Sequence, residues 1–221
     1  LLDLEQIMRS FLIVTVLGFF VSSFTPVQAA PASYALTESG SKLYVQVFKK
    51  RGGAASRLAH DHVVLATGWT GTVSWDSENA AACNVSFSLP VSGLTPDTDP
   101  MRDHVGYESR LSVSNQKKVR GNIVSLTQLA AEHFPKVTYQ STSCSGAGST
   151  ITVTGNLTIR GVSKTIAVPM EISADGGSFK AKGTFSATHE DFKFSPYTAM
   201  GGALRNETEM RFTVDVVGAA Q

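Results

Sequence analysis

The residues best suited to chemistry are the two histidines of His60-Asp61-His62. Side chains two apart on a strand point to the same face, so this spacing predicts two imidazoles side by side. Neutral imidazole is a common ligand for transition metals, and such a pair becomes a chelate when a third donor arrives from another strand or loop. His104 and His189 are the candidate donors, which gives a metal set of His60, His62, His104 and His189. H-x-H alone is a weak signal, and two other readings stand beside it: polar groups lining a pocket, or rings hydrogen-bonded for structure. Adjacent imidazolium ions against an apolar cavity would repel each other and lose hydration, so one or both are expected neutral at neutral pH. No serine sits in a nucleophile elbow, and neither cysteine has a histidine partner nearby in sequence. The expectation is a protein without catalytic machinery, with a metal-binding protein or a metal-dependent small-molecule hydrolase built on the His60/His62 pair as the alternative.

These residues must be positioned by strands. Residues 150–159 set Ile151, Val153, Leu157 and Ile159 on one face against Thr150, Thr152, Thr154, Asn156 and Thr158 on the other. That period of two marks a strand with one buried side. Residues 136–143 precede it through a turn at 145–148, and Arg160-Gly161 reverses the chain into a strand over 162–172. Further strands are expected over 42–49, 60–69, 72–75, 84–89, 178–187 and 207–217. Residues 90–110 carry prolines and polar turn formers and read as a long loop, a common form for a lid or rim. Helical spacing of Val119, Ile123, Leu126, Leu129 and Ala130 predicts one helix over 116–131, capped by Ser114 or Asn115, that covers one barrel end. Long strands joined by short turns must bury their apolar faces by stacking or by closing, and closure is the better reading. The fold class is all-β: an antiparallel β-barrel with one α-helix and a long loop.

The first thirty residues read differently. Arg9 precedes an apolar run over 11–21, and small residues follow at Val27-Gln28-Ala29-Ala30. That pattern describes a secretory signal peptide over 1–29, with a retained anchor as the alternative. Met8 just before Arg9 makes residues 1–7 candidate upstream translation. Residues 30–221 then form one domain. With 19 Lys and Arg against 18 Asp and Glu, no basic stripe recommends a nucleic-acid partner. Export permits a disulfide, and Cys83 and Cys144 flank strand ends that could meet at one rim; two buried thiols are the alternative.

The central segments resemble the YceI-like family, exported bacterial proteins also called polyisoprenoid-binding. Phe134-Pro135-Lys136-Val137-Thr138-Tyr139-Gln140-Ser141-Thr142 is similar to one family strand, and Gly155-Asn156-Leu157-Thr158-Ile159-Arg160-Gly161-Val162-Ser163-Lys164 to its hairpin. Residues 71–76, Arg102-Asp103 and Asp191-Phe192 add support. The chain departs from the family pattern at His60-Asp61-His62, where relatives carry one histidine, and in a longer 90–129 region. The resemblance implies a lipocalin-like barrel in the Gram-negative periplasm whose interior takes an isoprenoid or quinone-type lipid, with no resident cofactor. The expected ligand-binding residues are Val45, Val47, Val64, Phe87, Leu89, Leu126, Tyr139, Leu157 and Ile159 inside, with His60, His62 and Arg102 choosing the head group at a mouth. A dry, side-chain-filled core is the alternative for the apolar set. At about 0.8 kcal/mol per buried methylene, burial supplies ample affinity without directional chemistry. Such a ligand comes from a bilayer, so transient membrane contact is expected, and a homodimer is left open.

Overall fold

Alternation of apolar and polar side chains commits most of the chain to one antiparallel sheet that curls until its first and last long strands meet. The computed structural model describes residues 30–52, 57–175 and 177–221; the leader expected over 1–29 lies outside the described residues. The strands are β1 (Ala32–Lys49), β2 (His62–Ala66), β3 (Thr70–Trp75), β4 (Asn84–Pro90), β5 (Leu94–Pro96), β6 (Lys136–Ala147), β7 (Thr150–Ile159), β8 (Val162–Asp175), β9 (Ser178–Thr188), β10 (Thr198–Ala199) and β11 (Leu204–Ala220). Neighbours run β3-β4-β6-β7-β8-β9-β11, and β1 pairs with both β11 and β3, so eight strands close the barrel. The lower half of β1 pairs with β3 and its upper half with β2, which in turn carries β5. The all-β antiparallel barrel expected from the alternation is the observed fold.

Antiparallel pairing sorts the connections by end. Those from β1 to β2, β7 to β8 and β9 to β11 lie at one end, called here the mouth; those from β3 to β4, β6 to β7 and β8 to β9 lie at the other. The β7–β8 hairpin turns on Arg160 (φ 53°) and Gly161 (φ 71°), the two successive positive φ values that match the twist of flanking strands. Inside the hairpin Gly155 is obligatory for a different reason. A Cβ there would lie 2.5 Å from the Gln140 carbonyl and 2.6 Å from the Tyr139 ring. Gly155→Ala is expected to cost roughly 1–3 kcal/mol, the usual range for overpacking, measurable as a shift of the urea midpoint at unchanged slope.

Several boundaries depart from the periodicity, each for a local reason. β1 starts ten residues before the expected 42, because a bulge between Thr37 and Lys42 around Gly40 (φ 82°) interrupts the alternation without ending the strand. β2 begins at His62 and not at 60, and Gly68 (φ 69°) separates it from β3. The expected long loop contains β5 and a short helix, α1 (Asp99–His104), which has Pro100 in its first turn, so there are two α-helices among the described residues where one is expected. The longer helix, α2 (Val113–Val124), is capped by Ser112, whose Oγ accepts from the Asn115 N–H at 3.3 Å. It ends sooner than 131, because Ser125 turns extended and its Oγ donates back to the Asn122 carbonyl at 2.7 Å.

Candidate functional site

The barrel interior is hollow. A cavity of about 410 Å³ is walled by strands on all sides and by α2 and the segment after it at the mouth, through Val119, Asn122, Ile123, Gln128 and Leu129. Of the residues that periodicity placed inside, Val45, Val47, Val64, Phe87, Leu89, Tyr139, Leu157 and Ile159 line it, as does His62. Leu126 does not: it sits in the turn beyond the early end of α2 and is 67 % exposed. Periodicity alone missed the shelf of Met170, Phe185 and Phe212, the last two stacked at 4.7 Å and 4°.

The cavity is graded from wet to dry. His62, Asn122, Gln128, His189, Tyr197 and Asn206 line it from segments at the mouth. At the opposite end Trp75, Ile151 and Phe179 are buried, Tyr34 packs on Phe179 at 5.2 Å, and Cys83 and Cys144 are disulfide-bonded with Cα atoms 6.0 Å apart. Among the described lining residues there is no Lys, Arg, Asp or Glu. Tyr139 lies between the ends, its hydroxyl donating to the Val153 carbonyl at 3.4 Å. Burial pushes that phenol up to about 12, so it adds no charge.

His62 and Arg102 belong to one buried cluster centred on Asp97. Asp97 is fully buried and has φ 53°, a left-handed conformation that aspartate tolerates better than most residues. One carboxylate oxygen accepts from Arg102 Nη1 at 2.7 Å and from the Val63 N–H at 3.1 Å; the other accepts from His62 Nδ1 at 2.7 Å. A carboxylate cannot donate, so the imidazole carries its hydrogen on Nδ1 and keeps Nε2 for another partner. Arg102 is 1 % exposed and donates further to the Ser109 carbonyl and hydroxyl and to the Asp61 carbonyl, with its guanidinium 5.1 Å from the Tyr107 ring centre. Arg102 does not line the cavity. It fixes Asp97, which fixes His62.

The four histidines considered for a metal are not gathered. His60 precedes β2, so the two-apart strand geometry does not apply to it, and it does not line the cavity. Burial first, then the nearness of His62, Arg102 and Lys49, holds its imidazole below the usual range. His104 ends α1, edge-on to the Tyr44 ring at 5.7 Å. Among the described residues no group of three or more His, Cys, Asp or Glu side chains is assembled for a metal ion.

His189 is 3 % exposed, gives its Nδ1 hydrogen to the Thr208 carbonyl at 2.8 Å, and meets the Phe194 ring at 5.1 Å. Desolvation lowers its pKa from the ordinary 6.5, and the Thr208 bond opposes this only in part. The unfolded chain therefore binds this proton first. Stability falls as pH drops below about 6.5 and stops falling, for this group, below the depressed folded value. His189→Gln is expected to flatten that acid limb in urea titrations, and an unchanged limb would assign it elsewhere.

A closed antiparallel barrel of eight strands with an apolar interior and a helix over one mouth is a lipocalin-like binding fold. The YceI-like domain model matches residues 54–216, and the chain belongs to that family. Protein YceI of Salmonella newport (strain SL254) is 23 % identical over 223 residues, covering 93 % of this chain and 97 % of the relative. Among solved structures, Burkholderia cenocepacia BcnA superposes with a TM-score of 0.61 at 16 % identity, covering 82 % of this chain and 98 % of that one. A Campylobacter jejuni YCEI protein gives 0.54 at 15 % identity, covering 72 % and 84 %. At these identities the solved structures speak to fold alone.

Proposed function

We propose that the chain is an exported, periplasmic binding protein that holds a long isoprenoid or quinone-like lipid inside the barrel and does no covalent chemistry on it. The observation that carries this reading is the cavity: about 410 Å³, within the roughly 300–1,000 Å³ usual for ligand sites, and apolar on nearly every wall. The absence of lysine and arginine among the described lining residues favours an uncharged head group over a diphosphate. In this reading His62 Nε2 and His189 meet its oxygens at the mouth while the tail runs toward the disulfide end. Leader cleavage near Ala29 belongs to the same proposal.

The test is titration of the detergent-free protein with a fluorescent prenyl probe, followed by displacement. A quinone bearing a prenyl tail should displace the probe, and a prenyl diphosphate of equal tail length should do so at least tenfold less well, because the cavity wall offers the diphosphate no counter-charge. Equal displacement would remove the head-group assignment; no probe uptake would remove the carrier reading.

A further inference from the structure

The mouth has an outer face as well as an inner one. Leu58, Val113, Leu126, Phe134 and Met200 are the large apolar side chains exposed among the described residues. Leu58 lies in the β1–β2 connection, Met200 in the β10–β11 turn, Leu126 and Phe134 in the segment between α2 and β6, and Val113 begins α2. Lys50 N–H donates to the Arg205 carbonyl at 2.7 Å, and the Gln128 side chain donates to the Ser195 carbonyl at 3.3 Å. These bonds tie the three connections into one rim. The connections at the far end expose no large apolar side chain among the described residues.

Charge follows the same division. Residues 50–60 contain Lys50, Arg51 and Arg57 and no acid, and residues 113–131 contain Lys117, Lys118 and Arg120 and no acid. Lys50, Arg51, Arg57, Lys117 and Lys118 are exposed. The acids at this end include Asp61, Asp99, Asp103, Glu108, Glu132, Glu190, Asp191 and Glu207. Asp61 accepts from the Lys49 N–H, Asp99 and Asp103 are paired with Arg110, and Asp191 is paired with Lys164 at 2.8 Å. Lys136, Arg160, Lys193 and Arg205 add to the basic side of the same end. At the far end, residues 76–83 carry Asp76 and Glu78, residues 175–177 carry Asp175, and neither connection has a basic residue.

We propose that the mouth rim is a docking face for an anionic lipid bilayer. Apolar tips projecting from separate loops and set among lysine and arginine match the two layers of a membrane surface, acyl boundary beneath phosphate. A protein partner would be served by a contiguous apolar patch, whereas here the apolar side chains come from separate connections that also carry exposed basic residues. Lys117 and Lys118 lie on the helix whose other face covers the cavity, so docking would bring the opening against the bilayer. The face stands independently of lipid carriage and complements it.

Vesicle co-sedimentation tests this with the exported full chain, its N-terminus read by mass spectrometry so that wild type and variants are compared with the same terminus. Phosphatidylcholine vesicles should bind weakly, and vesicles doped with phosphatidylglycerol should bind strongly at low salt and weakly at high salt. Lys117→Gln with Lys118→Gln should lower anionic-vesicle partition roughly thirtyfold, the loss expected for two basic residues at such a surface. Leu58→Ser with Met200→Ser should lower it several-fold. Both double variants should keep wild-type affinity for the fluorescent prenyl probe in vesicle-free solution, which separates docking from folding and from the cavity. Equal binding to the two vesicle types, or partition unchanged in both variants, overturns the proposal. Failure of the wild type to take up the probe would remove lipid carriage and leave the docking result standing.

Discussion

Arg102→Met is expected to destabilise the protein by about 3–5 kcal/mol, the range for breaking a buried ion pair by removing one partner. The size follows from what is left behind. Asp97 is 0 % exposed and keeps only the Val63 N–H and His62 as donors once Nη1 is gone, while the Ser109 and Asp61 carbonyls each lose a donor. Lysine is expected to rescue little, because a single ammonium cannot reach Asp97, Asp61 and the two Ser109 oxygens at once. Arg102→Met combined with Asp97→Asn should recover part of the loss, since the stranded charge is then absent, and the four-member cycle completed by Asp97→Asn alone gives the coupling energy of the pair. Urea unfolding monitored by tryptophan fluorescence gives all four values. A cost below about 1 kcal/mol for Arg102→Met would mean that water reaches Asp97, contrary to the packing described.

The second large effect is loss of the covalent link between Cys83 and Cys144. The bridge spans a sequence separation of 61, for which the chain-entropy relation gives about 4 kcal/mol of stabilisation through restriction of the unfolded chain. Cys83→Ala with Cys144→Ala should show that loss, lessened by the small apolar replacements at two buried sites. Reductant should bring the wild type to the same midpoint and leave the double variant where it was. The cluster around Asp97 and the disulfide share no partner, so the two costs should add within a few tenths of a kcal/mol. Reductant without effect on wild-type unfolding would show that the bridge is absent in solution.

The contrast between these two sites shows what a sequence exposes. Strands are legible wherever both faces keep strict alternation: residues 150–159 match β7 to the residue, and eight of the nine interior apolar positions line the cavity, because inside and outside alternate along a barrel strand between bulges. Leu126 failed because helical spacing continues past Val124 while the backbone does not; Ser125 ends the helix through a bond that periodicity does not register. His60 failed because the strand begins at His62, two residues later than its apolar pattern implied. Asp97 was invisible for a deeper reason. A turn-forming aspartate among prolines reads as an exposed loop residue, and only the tertiary meeting of β2, β5 and α1 buries it between His62 and Arg102. The family motif points to Arg102 at the mouth, whereas the structure sets it behind the wall, bonded to Asp97. The sequence offers His189 only as a metal ligand; its bond to the Thr208 carbonyl joins residues 19 apart, and its packing on Phe194 depends on the turn between the two.

The account's central claim is that the cavity holds a long apolar lipid. Native mass spectrometry of the untagged protein, purified from its producing cell without detergent, tests it most directly. A mass excess that survives chelator, disappears on organic extraction and fragments as an isoprenoid or prenylated quinone is the predicted result. A bare polypeptide mass, from protein that also fails to gain mass when incubated with prenyl lipids, would contradict the claim.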